Sequence, residues 1–184
     1  MTRMLNWIWG KLDALTNWPA FFVLLLFFLV FSALFNLYGA HYPVDTFDGH
    51  KYGVSRADIR DILDKFHKCG QLDQYRAQET QLDLAFPAIY GLLFAVAIAG
   101  LWPRGGRWLA LLPLATALFD YCENFTFIAL AMRYRKTQTT APALEIIGST
   151  ASRLKWSFVI VSLAALGVAL IMAALRAVAA ARAD

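Results

Sequence analysis

Phe119-Asp120-Tyr121-Cys122-Glu123-Asn124-Phe125-Thr126-Phe127 lies inside an apolar segment running from Trp108 to Met132. That segment is long enough to cross a bilayer, since a spanning helix needs roughly 20 mostly apolar residues. Two carboxylates and a carboxamide nevertheless fall near its middle. On a helix, Asp120, Glu123 and Asn124 are i, i+3 and i+4, so they project from one face. A charged group at bilayer depth costs at least about 2.5 kcal/mol. Such a stripe turns away from lipid, toward other helices or a wet cavity. The rest of the chain has to supply those neighbours.

Of the 184 residues, 59% are hydrophobic and 16% charged; soluble domains run nearer roughly 45–50% and 25%. The apolar residues fall in four blocks of spanning length, Pro19–Tyr38, Gln81–Trp102, Trp108–Met132 and Leu154–Leu175. Backbone groups in hydrocarbon must be satisfied internally, and these blocks lack the alternation of a β-barrel. The expected fold is all-α and forms a single domain. It is a four-transmembrane-helix bundle with an N-terminal interfacial helix and an extramembrane helical loop.

The formal net charge of +4 is modest. No basic run is flanked by base-stacking aromatics, which excludes a nucleic-acid partner. The basic residues read as topology signals and lipid headgroup contacts. Cys69 and Cys122 are the two cysteines. Neither belongs to a Cys-x-x-Cys pair, which argues against a disulfide oxidoreductase. Cys122 reads as a small core residue and Cys69 as a free thiol.

Outward from the central stretch, the chain begins with Leu5, Ile8, Leu12 and Leu15 at helical spacing. Trp7, Trp9 and Trp18 are of the residue type that prefers headgroup level. Residues 1–17 therefore predict a short amphipathic helix in the interface. Thr16 or Asn17 is the expected cap of the first span, with Pro19 in its first turn. The run from Ala20 to Phe35 is long for a signal peptide, which favours an uncleaved span. Gly39–Thr80 is the one substantial polar segment. Within it Ser55 should cap a helix over about 56–66, with Ile59, Ile62, Leu63 and Phe66 as its apolar face and Gly70 as its stop. That face has no partner within a polar loop, so it is expected to cover the mouth of the bundle.

The second block opens with Leu82-Asp83-Leu84-Ala85-Phe86-Pro87-Ala88-Ile89-Tyr90-Gly91. Pro87 cannot donate to the carbonyl of Asp83, four residues back. A carboxylate and a freed carbonyl therefore occur at one place. Trp102-Pro103-Arg104-Gly105-Gly106-Arg107 reads as a tight turn. After Met132 come Arg133, Arg135 and Lys136, then a Thr-rich turn. Pro142 starts a helix that continues through Arg153-Leu154-Lys155-Trp156 into the last block, with Gly148 as a weak point.

Arg3, Lys11, Arg104, Arg107, Arg176 and Arg182 fall on one side of the four-span arrangement. By the positive-inside rule both termini are expected in the cytoplasm, although Arg133, Arg135 and Lys136 argue the other way. At about 1.5 Å of rise per residue, Asp83 lies about 30 Å above the inner turn at Pro103, Asp120 about 20 Å and Glu123–Asn124 about 25 Å. Lys155 is about 30 Å above Arg176, and Asn36 is also near the outer end. The polar groups of all four blocks thus collect in the outer half.

This constellation suggests a pocket in which Asp120 and Glu123 are the candidate acid/base pair. Asp83, Tyr90, Asn124, Arg153, Lys155 and Asn36 are the candidate binding residues. Clustered carboxyls in low dielectric do not all ionise, the raw material of acid–base catalysis, proton coupling or cation binding. An interhelical polar clamp is the structural counterpart, with Lys155 neutralising an acid. His41, Asp45, Asp48, His50 and His67 match no zinc-ligand spacing, so no metal is assigned. No cofactor fingerprint is present either.

The set Leu82-Asp83…Phe86-Pro87…Tyr90-Gly91, Asp120-x-x-Glu123-Asn124 and Lys155-Trp156 resembles a group of small four-span bacterial membrane proteins of uncharacterised activity. The resemblance covers the chain from about residue 50 onward and implies a bacterial inner-membrane location. A looser similarity is to the four-helix sterol-isomerase and sigma-2 receptor class, which keeps acids in a lipid-accessible cavity; it is an analogy of architecture alone. Three functions remain open at this level. One is binding or acting on a lipid or amphipathic small molecule. Another is proton- or cation-coupled transport, which with four helices would call for a homo-oligomer. The third is a structural role in assembly.

Overall fold

The computed structural model describes residues 2–39, 41–42, 46–102 and 104–182. Among them the chain is all-helical, with no strand. The helices are α1 (Thr2–Leu15), α2 (Trp18–Gly39), α3 (Arg56–Lys68), α4 (Leu72–Gln81), α5 (Phe86–Leu101), α6 (Leu111–Thr137) and α7 (Pro142–Ala181). Short 3-10 turns cover Phe47–Gly49 and Arg104–Ala110. Pro103 and Asp45 lie outside the described residues, as do the side chains of Leu5, Asp48 and Arg104.

Among the described residues three segments are long and apolar enough to cross a membrane: Trp18–Gly39, Leu72–Leu101 and Pro142–Ala181. Helix α6 is not among them, although its 27 residues exceed the 22 of α2. Its polar centre and the terminal Arg133, Arg135 and Lys136 dilute its apolar character. Helix α6 packs along α7 and α5, and α2 packs on α5. The α2 contact is aromatic: Phe28 and Phe35 lie 5.7 and 5.1 Å, centroid to centroid, from Phe86. No residue of α2 is buried, so this helix stands at the periphery.

Helix boundaries follow local chemistry. Asn17 is the cap of α2, its Oδ1 accepting from the Ala20 amide at 2.9 Å. Such a bond satisfies one of the amides that a helix start leaves without an internal partner. Ser55 and Asp58 form a reciprocal capping box at the start of α3, and Gly70 ends that helix region at φ +71°. The second apolar block is not one continuous helix. Residues 82–85 form a turn, so Pro87 sits in the first turn of α5, where a proline is tolerated.

Helix α1 departs from the expected placement of its apolar face. Ile8, Leu12 and Leu15 pack with Ala95, Val96, Ile98 and Ala99 of α5, and Leu12 is buried. The face expected to enter lipid is therefore covered by protein. The exposed side carries Arg3, Met4, Trp7 and Lys11, with the Lys11 ammonium 5.9 Å from the Trp7 ring centroid.

A layer built from α3, α4 and the Phe47 turn covers one end of α6 and α7. Ile59, Ile62, Leu63 and Phe66 form a core with Phe47, Val54, Leu72, Tyr75, Phe127 and Leu130. The ring of Phe47 stacks on Phe127 at 3.9 Å. Gly53 makes the strap before α3 possible. Its φ is +88°, and a Cβ there would stand 2.9 Å from the Arg153 Cα of α7. Only glycine meets both conditions without strain. Gly148, read from sequence as a weak point, is a contact point: a Cβ there would meet the Phe127 ring at 2.9 Å.

Candidate functional site

Helices α5, α6 and α7 bring four ionisable side chains together. The Tyr90 hydroxyl of α5 donates to Asp120 Oδ2 of α6 at 2.7 Å. Lys155 Nζ of α7 donates to Asp120 Oδ1 at 3.3 Å and forms an ion pair with Glu123. All four are buried, Glu123 to 1% exposure. The helical period explains why α6 can present them: Asp120, Glu123, Asn124 and Phe127 face inward, while Cys122 and Phe125 face out. Cys122 is accordingly exposed, which corrects its reading as a core residue.

Asp83 joins through its backbone. It lies in the turn before α5 and is 3% exposed. Its carbonyl, freed of the Pro87 amide, accepts from Asn124 Nδ2 at 2.9 Å. One turn earlier on α6, the Tyr121 hydroxyl donates to the Leu84 carbonyl at 2.9 Å. Two α6 side chains thus bind the carbonyls that a helix break exposes, which fixes the turn at the edge of the network.

Arg153 and Asn36 stand apart. Arg153 is exposed and lies against Gly53. Asn36 is exposed on α2, and its amide donates to the Ser32 carbonyl of its own helix at 2.8 Å. No group of histidine, cysteine or acidic side chains among the described residues could hold a metal ion. The His41 ring meets the Leu37 carbonyl at 2.6 Å.

Several polar residues that tie the site to the covering layer escaped the sequence reading. Ser149 donates to the Val54 carbonyl at 2.7 Å, and Ser152 accepts from the Val54 amide at 3.1 Å. With Lys155 and Ser162 they form a buried stripe on α7 at helical spacing, a signal present in the sequence. Glu145 is fully buried between Arg56 and Arg60 of α3, at 3.0 and 2.6 Å, and also accepts from Thr140. Helix α7 is about 60 Å long at 1.5 Å per residue, twice the hydrocarbon thickness, and its apolar part begins beyond Arg153. Glu145 therefore lies outside the spanning part. The Arg60 and Arg56 guanidinium groups and Thr140 hold its carboxyl down at about 2, against the opposing effect of burial.

A cavity of about 590 Å3 lies farther along α5, toward its C-terminal end. Its walls, almost wholly apolar, include Asn17, Phe21, Phe28, Phe94, Ala97 and Leu170. No member of the ion network lines it. The two are adjacent, however, because Phe94 is 6.4 Å from the Tyr90 ring, centroid to centroid. Its volume falls within the roughly 300–1,000 Å3 typical of small-molecule sites. The chain matches no protein-family model, no curated protein and no solved structure.

Proposed function

We propose that this chain is a bacterial inner-membrane protein with four spans and cytoplasmic termini that binds an amphipathic small molecule or lipid. In this reading α6 is the fourth span, admitted because its acids face protein rather than lipid. The observation that carries the proposal is the apolar cavity whose wall residue Phe94 lies beside Tyr90, a member of a buried acid network. The ligand's tail occupies the cavity. Tyr90, Asp120, Lys155 and Glu123 provide hydrogen-bonding and proton-exchange groups at its end. Asp120 and Glu123 both pair with the Lys155 ammonium and Asp83 is buried in the adjoining turn, so the region is rich in acid for its depth.

Native mass spectrometry of the detergent-purified protein tests this. Wild type should retain an adduct of lipid-like mass, and Ala97→Trp, which fills the cavity, should lose it. Asp120→Asn should fold and retain the tail but abolish any chemistry on the ligand. An adduct-free wild type, or equal retention by Ala97→Trp, would sink the ligand reading.

The pairing of both α6 carboxylates with Lys155 favours a second reading, an interhelical clamp. Full cellular function in both Asp120→Asn and Glu123→Gln would select it.

A further inference from the structure

The cavity has a chemically distinct end. There α1 turns into α2 through Thr16 and Asn17, and α5 finishes at Leu101; all three residues line the cavity. The guanidinium of Arg176 stands at this end. Its Nη2 donates to the Leu101 carbonyl at 2.7 Å, and its Nε to the Met172 carbonyl at 3.1 Å. Two of five N–H donors are so used. No carboxylate among the described residues pairs with Arg176, which is exposed. Arg107, also at this end, is instead matched by Asp13. Trp18 also lines the cavity and is 74% exposed, in keeping with a residue at headgroup level.

We infer that the cavity is the seat of an anionic membrane phospholipid, with one acyl chain along α2, α5 and α7 and its phosphate at Arg176. This deepens the proposed ligand binding and rests on it: it assigns the ligand's class and puts its charged head at the α1–α2 elbow rather than at Tyr90. Charge complementarity selects the occupant. The tail region is apolar, and the Leu101 end carries a cation that no carboxylate among the described residues matches. A guanidinium suits phosphate because its planar fork donates in pairs. In the proposed orientation this end faces the cytoplasmic leaflet, where anionic lipids are concentrated. The exposed stripe of Arg3, Trp7 and Lys11 on α1 lies at the same membrane surface and adds attraction for that leaflet.

The test compares wild type, Arg176→Gln, Arg176→Lys and Ala97→Trp. Each is equilibrated with vesicles of phosphatidylglycerol or of phosphatidylcholine, and bound lipid is counted by native mass spectrometry. Wild type should prefer phosphatidylglycerol. Arg176→Gln should lose about fivefold of that preference, the effect of one surface cation, while still binding phosphatidylcholine. Arg176→Lys should keep most of the preference, which separates charge from folding. Ala97→Trp should lose both lipids. Equal binding of the two lipids by wild type, or an Arg176→Gln protein with unchanged preference, overturns the anionic seat but leaves tail binding standing. Retention of lipid by Ala97→Trp overturns tail binding itself. A lipid-free dimer would assign the groove to a second copy of the chain and also overturn the proposal.

Discussion

Glu145 and Glu123 are both buried carboxylates on long helices, and their surroundings are opposite. Glu145 faces two guanidinium groups and a hydroxyl. Glu123 shares one ammonium with Asp120. Around Glu145 the cations outnumber the anion; around Lys155 the anions outnumber the cation. The two arginines of the first site are 46% and 55% exposed, whereas Lys155 is 5% exposed. The first site is therefore a pin between the covering layer and α7, with its cations already in water. The second is closed, and Lys155 there pairs with both carboxylates. Buried pairs are held mainly against the cost of breaking them, and that cost rises when the orphaned charge cannot reach water.

Lys155→Met should have the largest effect. It leaves Asp120 and Glu123 without their cation in a closed site, at about 3–5 kcal/mol. Thermal melting in detergent measures it. The double change Lys155→Met with Glu123→Met should recover much of the loss, because fewer charges are then stranded. Wild-type stability in Lys155→Met alone would mean that water reaches the network, and the contrast with Glu145 would collapse.

Glu145→Gln should cost less, about 1–2 kcal/mol, because the half-exposed Arg56 and Arg60 can turn to solvent. The damage should be local. Amide exchange in α3 should quicken while α5 and α6 keep their protection. Equal quickening throughout would show that the covering layer and the helices beneath it unfold as one unit.

The two regions also differ in how far they could be read in advance. Acids on apolar ground are conspicuous, so Asp120, Glu123 and Asn124 could be placed on one inward face from spacing alone. The free carbonyl at Asp83 followed from Pro87, and the structure shows Asn124 answering it. The Glu145 pin was not legible, because its partners are 89 and 85 residues away in a polar loop where charges are ordinary. The docking of α1 was hidden for a different reason. An amphipathic face fits lipid and protein equally well, and here it meets Ala95, Val96, Ile98 and Ala99 of α5. The cavity was invisible for a related reason, since it arises where α1, α2, α5 and α7 fail to close. Asn36 and Arg153 show the limit of depth counting: height along a helix says nothing about the direction in which a side chain points.

The smallest predicted effect is a pH dependence confined to the Glu145 side. Its carboxyl sits at about 2 in the folded protein against 4.5 ordinarily, held down first by Arg60. Below its ordinary value the unfolded chain takes up a proton that the folded chain refuses, so stability falls as pH falls. The stabilisation is complete above about 4.5 and disappears as pH approaches about 2. Groups facing Glu145 are Arg56 and Arg60 of α3 and the Thr140 hydroxyl. Between pH 7 and pH 4 the loss should be under about 1 kcal/mol once solvent screening of the arginines is allowed for. Asp58 and Asp64 also have lowered carboxyls, through Ser55 and Lys68, and would add to any acid effect. The informative quantity is therefore the stability difference between wild type and Glu145→Gln, measured by melting at pH 7, 5, 4 and 3. That difference should be constant from pH 7 to 5 and shrink from 4 to 3. A difference that stays constant down to pH 3 would show that Glu145 keeps no charge-dependent hold on α3, and the pin would reduce to shape and hydrogen bonding.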